Sequence, residues 1–205
     1  MGMIQNMDRL PLRERNRQRI YQRIVDAAFE LFHTAGYDAT TMDAIAEKAE
    51  VSRGTLFNYF PTKDTLLMPY ANELYREYVQ PAVLSYLDTQ PTTLDVVRFL
   101  FMSIYKHVLT LPDIDRALRQ EFFSPQPAMK ECSGGTGFFD TLLTIVQYGQ
   151  LRGEVRADIP LENLARYVGV LYVSLLFSET RQSTPAGYTV AVNTLLAFLR
   201  TALSP

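Results

Sequence analysis

One short stretch, residues 40–63, constrains the fold more than any other part of the chain: TTMDAIAEKAEVSRGTLFNYFPTK. Its first part has apolar residues at helical spacing after Thr40 and Thr41, either of which can cap a helix. Residues 49–52 are too few for anything except a turn, and Pro61 ends the second helical pattern that follows them. Two short helices joined by so short a turn predict a helix-turn-helix, a motif whose second helix enters the major groove of DNA.

The predicted second helix divides its side chains between an inner and an outer side. The inner side, spaced to pack on the first helix, consists of Val51, Leu56 and Phe60. The outer side consists of Arg53, Gly54, Thr55, Asn58 and Tyr59. A cation, hydroxyl groups and an amide are the groups that contact base edges and phosphate oxygens. A small amphipathic hairpin with an ordinary solvated surface would show the same pattern, so both interpretations stay open at this point.

A longer set of residues in fixed register extends on both sides of this stretch, from about Arg17 to Leu67. It consists of Ile24-Val25-Asp26-Ala27-Ala28, Leu31-Phe32, Gly36-Tyr37, Thr40-Thr41, Ile45-Ala46, Ala49, Val51-Ser52, Gly54-Thr55-Leu56-Phe57, Tyr59-Phe60, Lys63 and Leu66-Leu67. This set resembles the DNA-binding domain of the TetR/AcrR family of bacterial transcriptional repressors. The resemblance implies an all-α fold, in which an N-terminal three-helix DNA-binding domain with a helix-turn-helix is joined by a long helix to a C-terminal helical ligand-binding and dimerisation domain.

The predicted DNA contacts combine side-chain chemistry with this resemblance. The Arg53 guanidinium suits a bidentate contact with guanine, and the Asn58 amide suits adenine or a phosphate. By resemblance, the residues that match phosphate contacts of the family are Thr40, Tyr59 and Lys63. Those that match its base-facing set are Arg53, Gly54, Thr55 and Phe57. The Thr41 hydroxyl, which also suits a phosphate, completes the predicted set.

Two residues depart from the family pattern. Glu50 stands in the turn where the family usually has glycine, and it would cost on the order of 1 kcal/mol if the backbone there has a positive φ. Phe57 stands where the family usually has tyrosine, so a phenol hydrogen bond is lost although the ring can still touch a thymine methyl. Neither departure removes the predicted fold, but both make the DNA sequence harder to infer.

Composition limits the class of protein. The 205-residue chain is 47% hydrophobic and 20% charged, which is typical of folded soluble proteins. Its net charge is −2, yet residues 9–23 carry six arginines against one glutamate, so the remainder carries −7. The single Cys132 excludes an intrachain disulfide and favours a reducing compartment. We find no secretory pattern, and the longest apolar run, residues 167–177, is too short for a bilayer, so we expect a cytoplasmic protein without a membrane partner.

Three domains are predicted from these patterns. Residues 1–16 would form a flexible basic arm, residues 17–64 the helix-turn-helix DNA-binding domain, and residues 65–205 the ligand-binding and dimerisation domain. The arm could follow phosphates or reach the minor groove, or it could simply be a solvated N-terminus. Both alternatives remain open.

Helical periodicity continues along the rest of the chain. The first helix is predicted from Arg13 to Ala35, with Gly36 at its end, and a long helix follows from about Asp64 to Gln80, bent or broken at Pro69. Further helices are predicted over residues 93–109, 114–123, 137–151, 161–180 and 186–203, with a loop over residues 124–135. Residues 149–155 and Asp158 again resemble the family.

The last two predicted helices are apolar on almost every side, which requires burial on more than one side. A second subunit is the simplest cover, so we expect a homodimer, although a central helix in the core of a monomer is an alternative. The predicted dimer residues are Tyr167, Val170, Val173, Phe177, Val192, Leu195, Leu196 and Leu199.

Aromatic side chains with few charges accumulate after residue 91. The resemblance implies that they line a chamber for a hydrophobic or aromatic small molecule. The predicted ligand residues are Phe99, Met102, Tyr105, His107, Phe122, Phe123, Phe138 and Tyr172. The alternative for each of them is an ordinary place in the core, and His107 is more simply a structural histidine.

The sequence carries no phosphate loop, nucleophile elbow or paired histidines or cysteines at metal spacing, so we expect no enzyme activity, cofactor or metal. We predict a ligand-responsive regulator, most simply a repressor, that binds a palindromic DNA operator as a dimer and is released by a small molecule. The alternative is an all-helical protein-interaction module or small-molecule carrier that does not bind DNA.

Overall fold

The computed structural model describes residues 11–111, 113, 137–177 and 184–205. All regular secondary structure in these residues is helical, which confirms the predicted all-α class. The chain divides into two compact units between Glu73 and Leu74. The predicted helix over residues 114–123 and the predicted loop over residues 124–135 lie outside the described residues.

The first unit begins with α1 (Leu12–Ala35), which starts one residue before its predicted position. Its buried stripe consists of Ile24, Val25, Ala27, Ala28 and Phe32. The helix ends at Gly36, which has a φ of +85° and donates its N–H to the Phe32 carbonyl at 3.1 Å. Glycine adopts such a φ without steric cost. Residues 12–16, which the sequence assigned to a flexible arm, are the first residues of this helix.

Two seven-residue helices, α2 (Met42–Lys48) and α3 (Arg53–Tyr59), form the predicted helix-turn-helix. Of the two threonines that could cap α2, it is Thr41 whose hydroxyl accepts the Ala44 N–H at 3.1 Å. Ser52 caps α3 by accepting the Thr55 N–H at 3.0 Å. These side-chain acceptors satisfy N–H groups that a helix leaves unpaired at its start.

After a 3₁₀ turn at Asp64–Leu66, α4 (Leu67–Leu74) ends on the first residue of the second unit. Pro69 was predicted to bend or locally break this helix, and the helix type does change just before it. Pro69 lies in the first turn of α4, where the N–H that proline lacks would have no α-helical partner in any case. The helix type changes before this residue, at the junction of the 3₁₀ turn and α4.

The second unit contains α5 (Gln80–Leu87), α6 (Thr93–Ile104), α7 (Gly137–Leu151), α8 (Leu161–Phe177) and α9 (Pro185–Leu203). The predictions for residues 93–109 and 137–151 agree with the observed ends, because a π-helical segment, Tyr105–Leu109, continues α6. The last predicted helix begins one residue late, and residues 178–180 of the one before it lie outside the described part of the chain.

A second π-helical segment, Tyr75–Val79, joins α4 to α5. It ends with the Gln80 N–H bonded to the Tyr75 carbonyl, five residues back. Pro81 follows at once and has no N–H for the Glu77 carbonyl, so the α-helical pattern cannot run through this point unchanged. The sequence prediction placed a bend or break at Pro69 and missed this change near residue 80, which Pro81 could have indicated.

The turn after α7 packs closely on the start of α6. A Cβ on Gly149 would lie 2.5 Å from Val155 Cγ2 and 2.6 Å from Thr93 Oγ1, so only glycine fits there. Glu154 Oε2 accepts both the backbone N–H and the hydroxyl of Thr93, each at 2.7 Å. Residues 149–155, which resemble the family in sequence, therefore fix the first turn of α6 from a distant part of the chain.

Candidate nucleic-acid interface

The outer side of α3 is open to solvent. Arg53, Gly54 and Asn58 are exposed, Phe57 is 37% exposed, and Thr55 and Tyr59 are half-buried, whereas Leu56 is fully buried. The helical repeat of 3.6 residues produces this division, because Leu56 faces α2 and its neighbours in sequence turn away. Four of the residues predicted to face DNA therefore lie on one accessible surface, which we call the α3 face (residues 53, 54, 57 and 58), whereas Thr55, also predicted to face the bases, is half-buried beside it.

The hydroxyl groups beside the α3 face serve the helix ends. The Ser52 and Thr55 hydroxyls lie 2.8 Å apart, and Thr41 caps α2. Thr41 is exposed, but Thr40 is only 4% exposed and donates its hydroxyl to the Gly36 carbonyl at 2.8 Å. The predicted phosphate contact of Thr40 therefore has its side chain already used inside the first unit.

Lys63, also predicted as a phosphate contact, holds the loop between α1 and α2. Its Nζ donates to the Tyr37 carbonyl at 2.7 Å and to the Thr40 carbonyl at 2.9 Å. The same ammonium lies 4.2 Å from the centre of the Tyr37 ring. An ammonium group has three donors. Lys63 thus uses most of its hydrogen-bonding capacity on the loop that leads into α2.

The turn of the helix-turn-helix has the conformation that makes Glu50 costly. Glu50 has a φ of +50°, where a residue with a Cβ is strained. Arg23 of α1 binds this turn: its Nη2 donates to the carbonyls of Ala49 and Glu50, the second at 3.0 Å. An ion pair to Glu50 Oε2 at 3.2 Å completes the contact. Sequence patterns missed this role for Arg23, because 27 residues separate it from Glu50 and no local signal joins them.

The arginines near the N-terminus form a helical surface. Arg15, Arg19 and Arg23 recur every four residues and therefore share one side of α1. Of the arginines in α1, Arg13, Arg17 and Arg19 are exposed, whereas Arg15 and Arg23 are half-buried. A surface of this kind attracts phosphates independently of DNA sequence, since binding releases condensed counterions.

The predicted ligand residues of the second unit stack on other rings. Phe99 stacks on Tyr86 with ring centres 4.5 Å apart, and Tyr105 stacks on Tyr188 at 4.3 Å. Phe138 packs 5.6 Å from Tyr172, Met102 is half-buried, and Phe122 and Phe123 lie outside the described residues.

His107 is part of the same pattern of stacked rings. It lies parallel to Tyr78, with ring centres 5.4 Å apart. Burial, followed by the neighbouring charge of Lys106, lowers the pKa of His107 below its ordinary value. The structure thus places this histidine in a ring contact between the two π-helical segments.

Tyr172 belongs to a buried polar group that the sequence did not reveal. Its ring stacks on Phe101 at 4.0 Å, and its hydroxyl lies 2.9 Å from that of Tyr188. The Tyr188 hydroxyl donates to the Phe101 carbonyl at 2.9 Å. These contacts join three helices through atoms fully removed from water, which is the pattern of a structural core.

Tyr75 differs from the other buried tyrosines. Its hydroxyl makes no hydrogen bond of normal geometry in the part of the chain that the structure describes, although the Thr141 side chain lies near enough to act on its pKa in the lowering direction. Burial raises the pKa of Tyr75 to about 12, because the phenolate would lose its hydration. A neutral buried donor without a partner is costly unless another molecule satisfies it.

The predicted dimer residues divide into two groups. Tyr167 and Val170 on α8 are 55% and 61% exposed, while Val173, Leu195 and Leu196 are half-buried. Val192 and Leu199, by contrast, lie in the core of the second unit at 0% and 1% exposure, so their side chains have no surface to offer a partner. The side chain of Phe177 lies outside the described part. Two exposed residues of α9 were not predicted, Val190 and Phe198.

By length and composition alone, α9 is apolar enough to cross a membrane. The sequence expectation considered only the apolar run at residues 167–177 and did not single out this helix. Polar residues interrupt α9, so the longest unbroken apolar run did not reveal it.

Known proteins resemble both parts of the chain. The family described as "Bacterial regulatory proteins, tetR family" matches residues 24–68. The HTH-type transcriptional repressor KstR of Rhodococcus jostii is 46% identical over 57 residues, which are 28% of this chain and 26% of KstR. The HTH-type transcriptional regulator YhgD of Bacillus subtilis is 26% identical over 165 residues, 79% of this chain and 85% of that protein.

A solved structure extends the likeness to the fold. Thermus thermophilus FadR, a TetR family transcriptional repressor in complex with lauroyl-CoA, is 27% identical with a TM-score of 0.67. The match covers 87% of this chain and 92% of that one. The relatives are transcriptional regulators rather than enzymes.

A helix-turn-helix with an exposed polar second helix, followed by a helical second unit, defines the class of DNA-binding transcriptional regulators. Within that class, residues 24–68 match the TetR family of bacterial regulatory proteins, and the chain as a whole is similar to regulators that include a TetR family repressor.

Proposed function

We propose that this chain is a cytoplasmic, non-enzymatic repressor that binds a palindromic operator as a homodimer and is released by a small hydrophobic effector. The observation that carries the proposal is the exposed α3 face, which offers Arg53 and Asn58 beside the apolar ring of Phe57. Arg53 would read guanine, Asn58 adenine or a phosphate, and Phe57 a thymine methyl. Residues 17–64 would form the DNA-binding domain, and residues 65–205 the ligand-binding and dimerisation domain.

The remaining predicted DNA contacts take two roles in this proposal. Thr41 and Tyr59 would contact phosphates directly from the edges of the α3 face. Thr40 and Lys63 would support the loop before α2, because their polar groups are bonded to backbone carbonyls in the free chain. The basic side of α1 would add affinity that does not depend on sequence.

The dimer surface that we propose consists of Tyr167, Val170, Val190 and Phe198, with half-buried Val173, Leu195 and Leu196 between them. Exposed apolar side chains concentrated on two helices are typical of a subunit interface.

In light scattering at micromolar concentration, the wild-type chain should have twice the monomer mass, and Val170→Glu should return it to the monomer. Leu84→Glu, at an exposed leucine of α5, is the matched control and should leave the dimer intact. A wild-type chain that is monomeric at this concentration would contradict the proposed dimer surface. If that monomer instead sediments together with lipid vesicles, a membrane would be what covers these residues.

We further propose that the effector carries a long apolar chain, and an acyl-CoA thioester is the first candidate because FadR of Thermus thermophilus is described in complex with lauroyl-CoA. The buried Tyr75 hydroxyl would donate to a polar atom of the effector. Effector binding would change the separation of the two DNA-binding units in the dimer. Units set for half-sites about 34–36 Å apart no longer fit one face of the duplex when this distance changes.

Fluorescence anisotropy with labelled genomic fragments tests the function. The chain should bind a subset of fragments in a salt-dependent manner, and lauroyl-CoA should release them while coenzyme A alone does not. Absence of salt-dependent binding to any duplex would overturn the regulator proposal. Binding that is unchanged by lauroyl-CoA would overturn only the proposed effector.

A further inference from the structure

An ion pair connects the two helices of the helix-turn-helix at the α3 face. Arg53 Nε lies 3.1 Å from Asp43 Oδ1, and both side chains are more than half exposed. Asp43 lies in the first turn of α2, and Arg53 is the first residue of α3. Exposed ion pairs contribute about 0–1 kcal/mol to folding stability, so stability is a poor reason for this one.

The position of Arg53 in its helix indicates a role for the pair other than stability. The start of a helix carries partial positive charge, which disfavours a cation there. The first turn of α3 contains no acidic residue that could offset this repulsion. Asp43 supplies the missing negative charge from α2, where the positive end of its own helix favours a carboxylate. The carboxylate therefore draws the guanidinium toward α2.

Two contacts restrict the Arg53 guanidinium. Asp43 approaches it at Nε, and the Phe57 ring lies 5.7 Å from its central carbon, one helical turn further along α3. In the described residues, neither terminal Nη group of Arg53 has a hydrogen-bond partner. These two donors are the pair that a guanidinium presents end-on to O6 and N7 of guanine.

We infer that Asp43 is a positioning residue for base selection, which holds Arg53 at Nε so that its two Nη groups are presented to a guanine. This inference rests on the proposed function, since it requires that the α3 face contacts DNA. It assigns Asp43 no contact with a base of its own. Its effect passes through Arg53.

The same carboxylate should lower the affinity for DNA of any sequence, while it raises the preference for guanine. A negative charge near the duplex repels phosphates, and at about 8 Å in water one pair of charges changes affinity by about twofold. Loss of Asp43 should therefore strengthen binding to unrelated duplexes while it weakens the preference for guanine. A residue that only supported the fold would not change the two quantities in opposite directions.

The test begins with selection of preferred sites from random duplexes by the full-length wild-type chain. Affinities for the selected site, for the same site with the guanine pair replaced, and for a scrambled duplex are then measured for Asp43→Ala, Asp43→Asn and Arg53→Ala. Glu47→Ala is the matched control, because Glu47 is exposed on the same helix and has no ion pair within the described residues. Circular dichroism melting checks that each variant folds.

Arg53→Ala should reduce the guanine preference roughly 5- to 100-fold, as expected for loss of a bidentate contact. Asp43→Ala should reduce it roughly three- to tenfold and raise affinity for the scrambled duplex, whereas Asp43→Asn should restore part of the preference through its amide oxygen. In the Arg53→Ala background, Asp43→Ala should have no further effect on guanine preference.

The outcomes separate the two proposals. If the wild type selects no motif, the regulator proposal fails and the inference falls with it. If Arg53→Ala removes the guanine preference while Asp43→Ala leaves it intact, the inference alone is wrong. The same conclusion follows if Glu47→Ala matches Asp43→Ala, since general charge near DNA would then explain the effect.

Discussion

The α3 face and the aromatic cluster of the second unit illustrate two different relations between sequence and role. On α3, the residues proposed to bind DNA are exposed and few of their polar groups are used by the protein. In the second unit, the rings predicted to bind a ligand pack against neighbouring rings, and the Tyr172 and Tyr188 hydroxyls are bonded within the core. Polar groups left unused on one exposed surface are available to a partner, whereas satisfied buried ones already serve the structure.

This difference predicts that substitutions in the second unit act mainly on stability. The largest effect is expected at Gly149, where an added Cβ would meet Val155 and Thr93 at 2.5 and 2.6 Å. Gly149→Ala should lower the free energy of unfolding by about 1–3 kcal/mol through overpacking, measured by urea denaturation. Gly169→Ala is the control, because the nearest atom there is the end of the flexible Leu142 side chain at 3.2 Å. An equal loss at both glycines would show that the close contact is not the cause.

Removal of one buried hydroxyl should have the next largest effect. Tyr188→Phe leaves the Phe101 carbonyl and the Tyr172 hydroxyl without this partner, so the free energy of unfolding should fall by about 1–2 kcal/mol. Tyr167→Phe keeps the ring that we place at the dimer surface and removes only the hydroxyl of a side chain that is 55% exposed in the single chain, so it should change the free energy of unfolding by less than about 0.5 kcal/mol. If Tyr188→Phe were instead neutral in stability but weakened lauroyl-CoA binding, the cluster would be a ligand site rather than a core.

The turn of the helix-turn-helix gives a prediction of opposite sign. Glu50→Gly relieves the strain of a φ of +50° and should raise the free energy of unfolding by about 0.5–1 kcal/mol, even though the exposed pair with Arg23 is lost. Glu47→Gly, inside α2, should lower it by about 1 kcal/mol, because glycine is unfavourable in a helix interior. Denaturation of both variants checks this, and a loss of stability in both would refute the strain at residue 50.

The smallest effect concerns pH. The pKa of His107 is below its ordinary value of 6.5 in the folded chain, so the unfolded chain binds more protons as pH falls through 6.5. The free energy of unfolding should therefore decrease from pH 7.5 to 5.5. His107→Phe keeps a ring against Tyr78 but cannot titrate, so its stability should decrease less over the same interval. An identical decrease in both chains would exclude His107 as the cause.

Sequence patterns predicted what depends on local spacing. The helix-turn-helix, the Ser52 cap and the inward position of Leu56 follow from helical periodicity and hydrogen bonding over three or four residues. The predicted cost of Glu50 depends on a positive φ, and Glu50 does have one. A turn of four residues leaves few other backbone conformations.

Contacts between distant residues could not be predicted in this way. Arg23 reaches Glu50 across 27 residues, and Glu154 caps Thr93 across 61. Val192 and Leu199 are as apolar as Val190 and Phe198, and only packing decides which of them are buried. In a helix that is apolar on nearly every side, hydrophobicity alone does not distinguish the core from an interface.

The central claim is that the α3 face selects DNA sequence. Its most direct test compares the affinity of the wild type and of the Arg53→Ala, Asn58→Ala double variant for a selected operator and for a scrambled duplex at one salt concentration. The wild type should prefer the operator by about 10³-fold or more, and the double variant should keep salt-dependent binding to both duplexes but lose most of this preference. An undiminished preference in the double variant would contradict the claim.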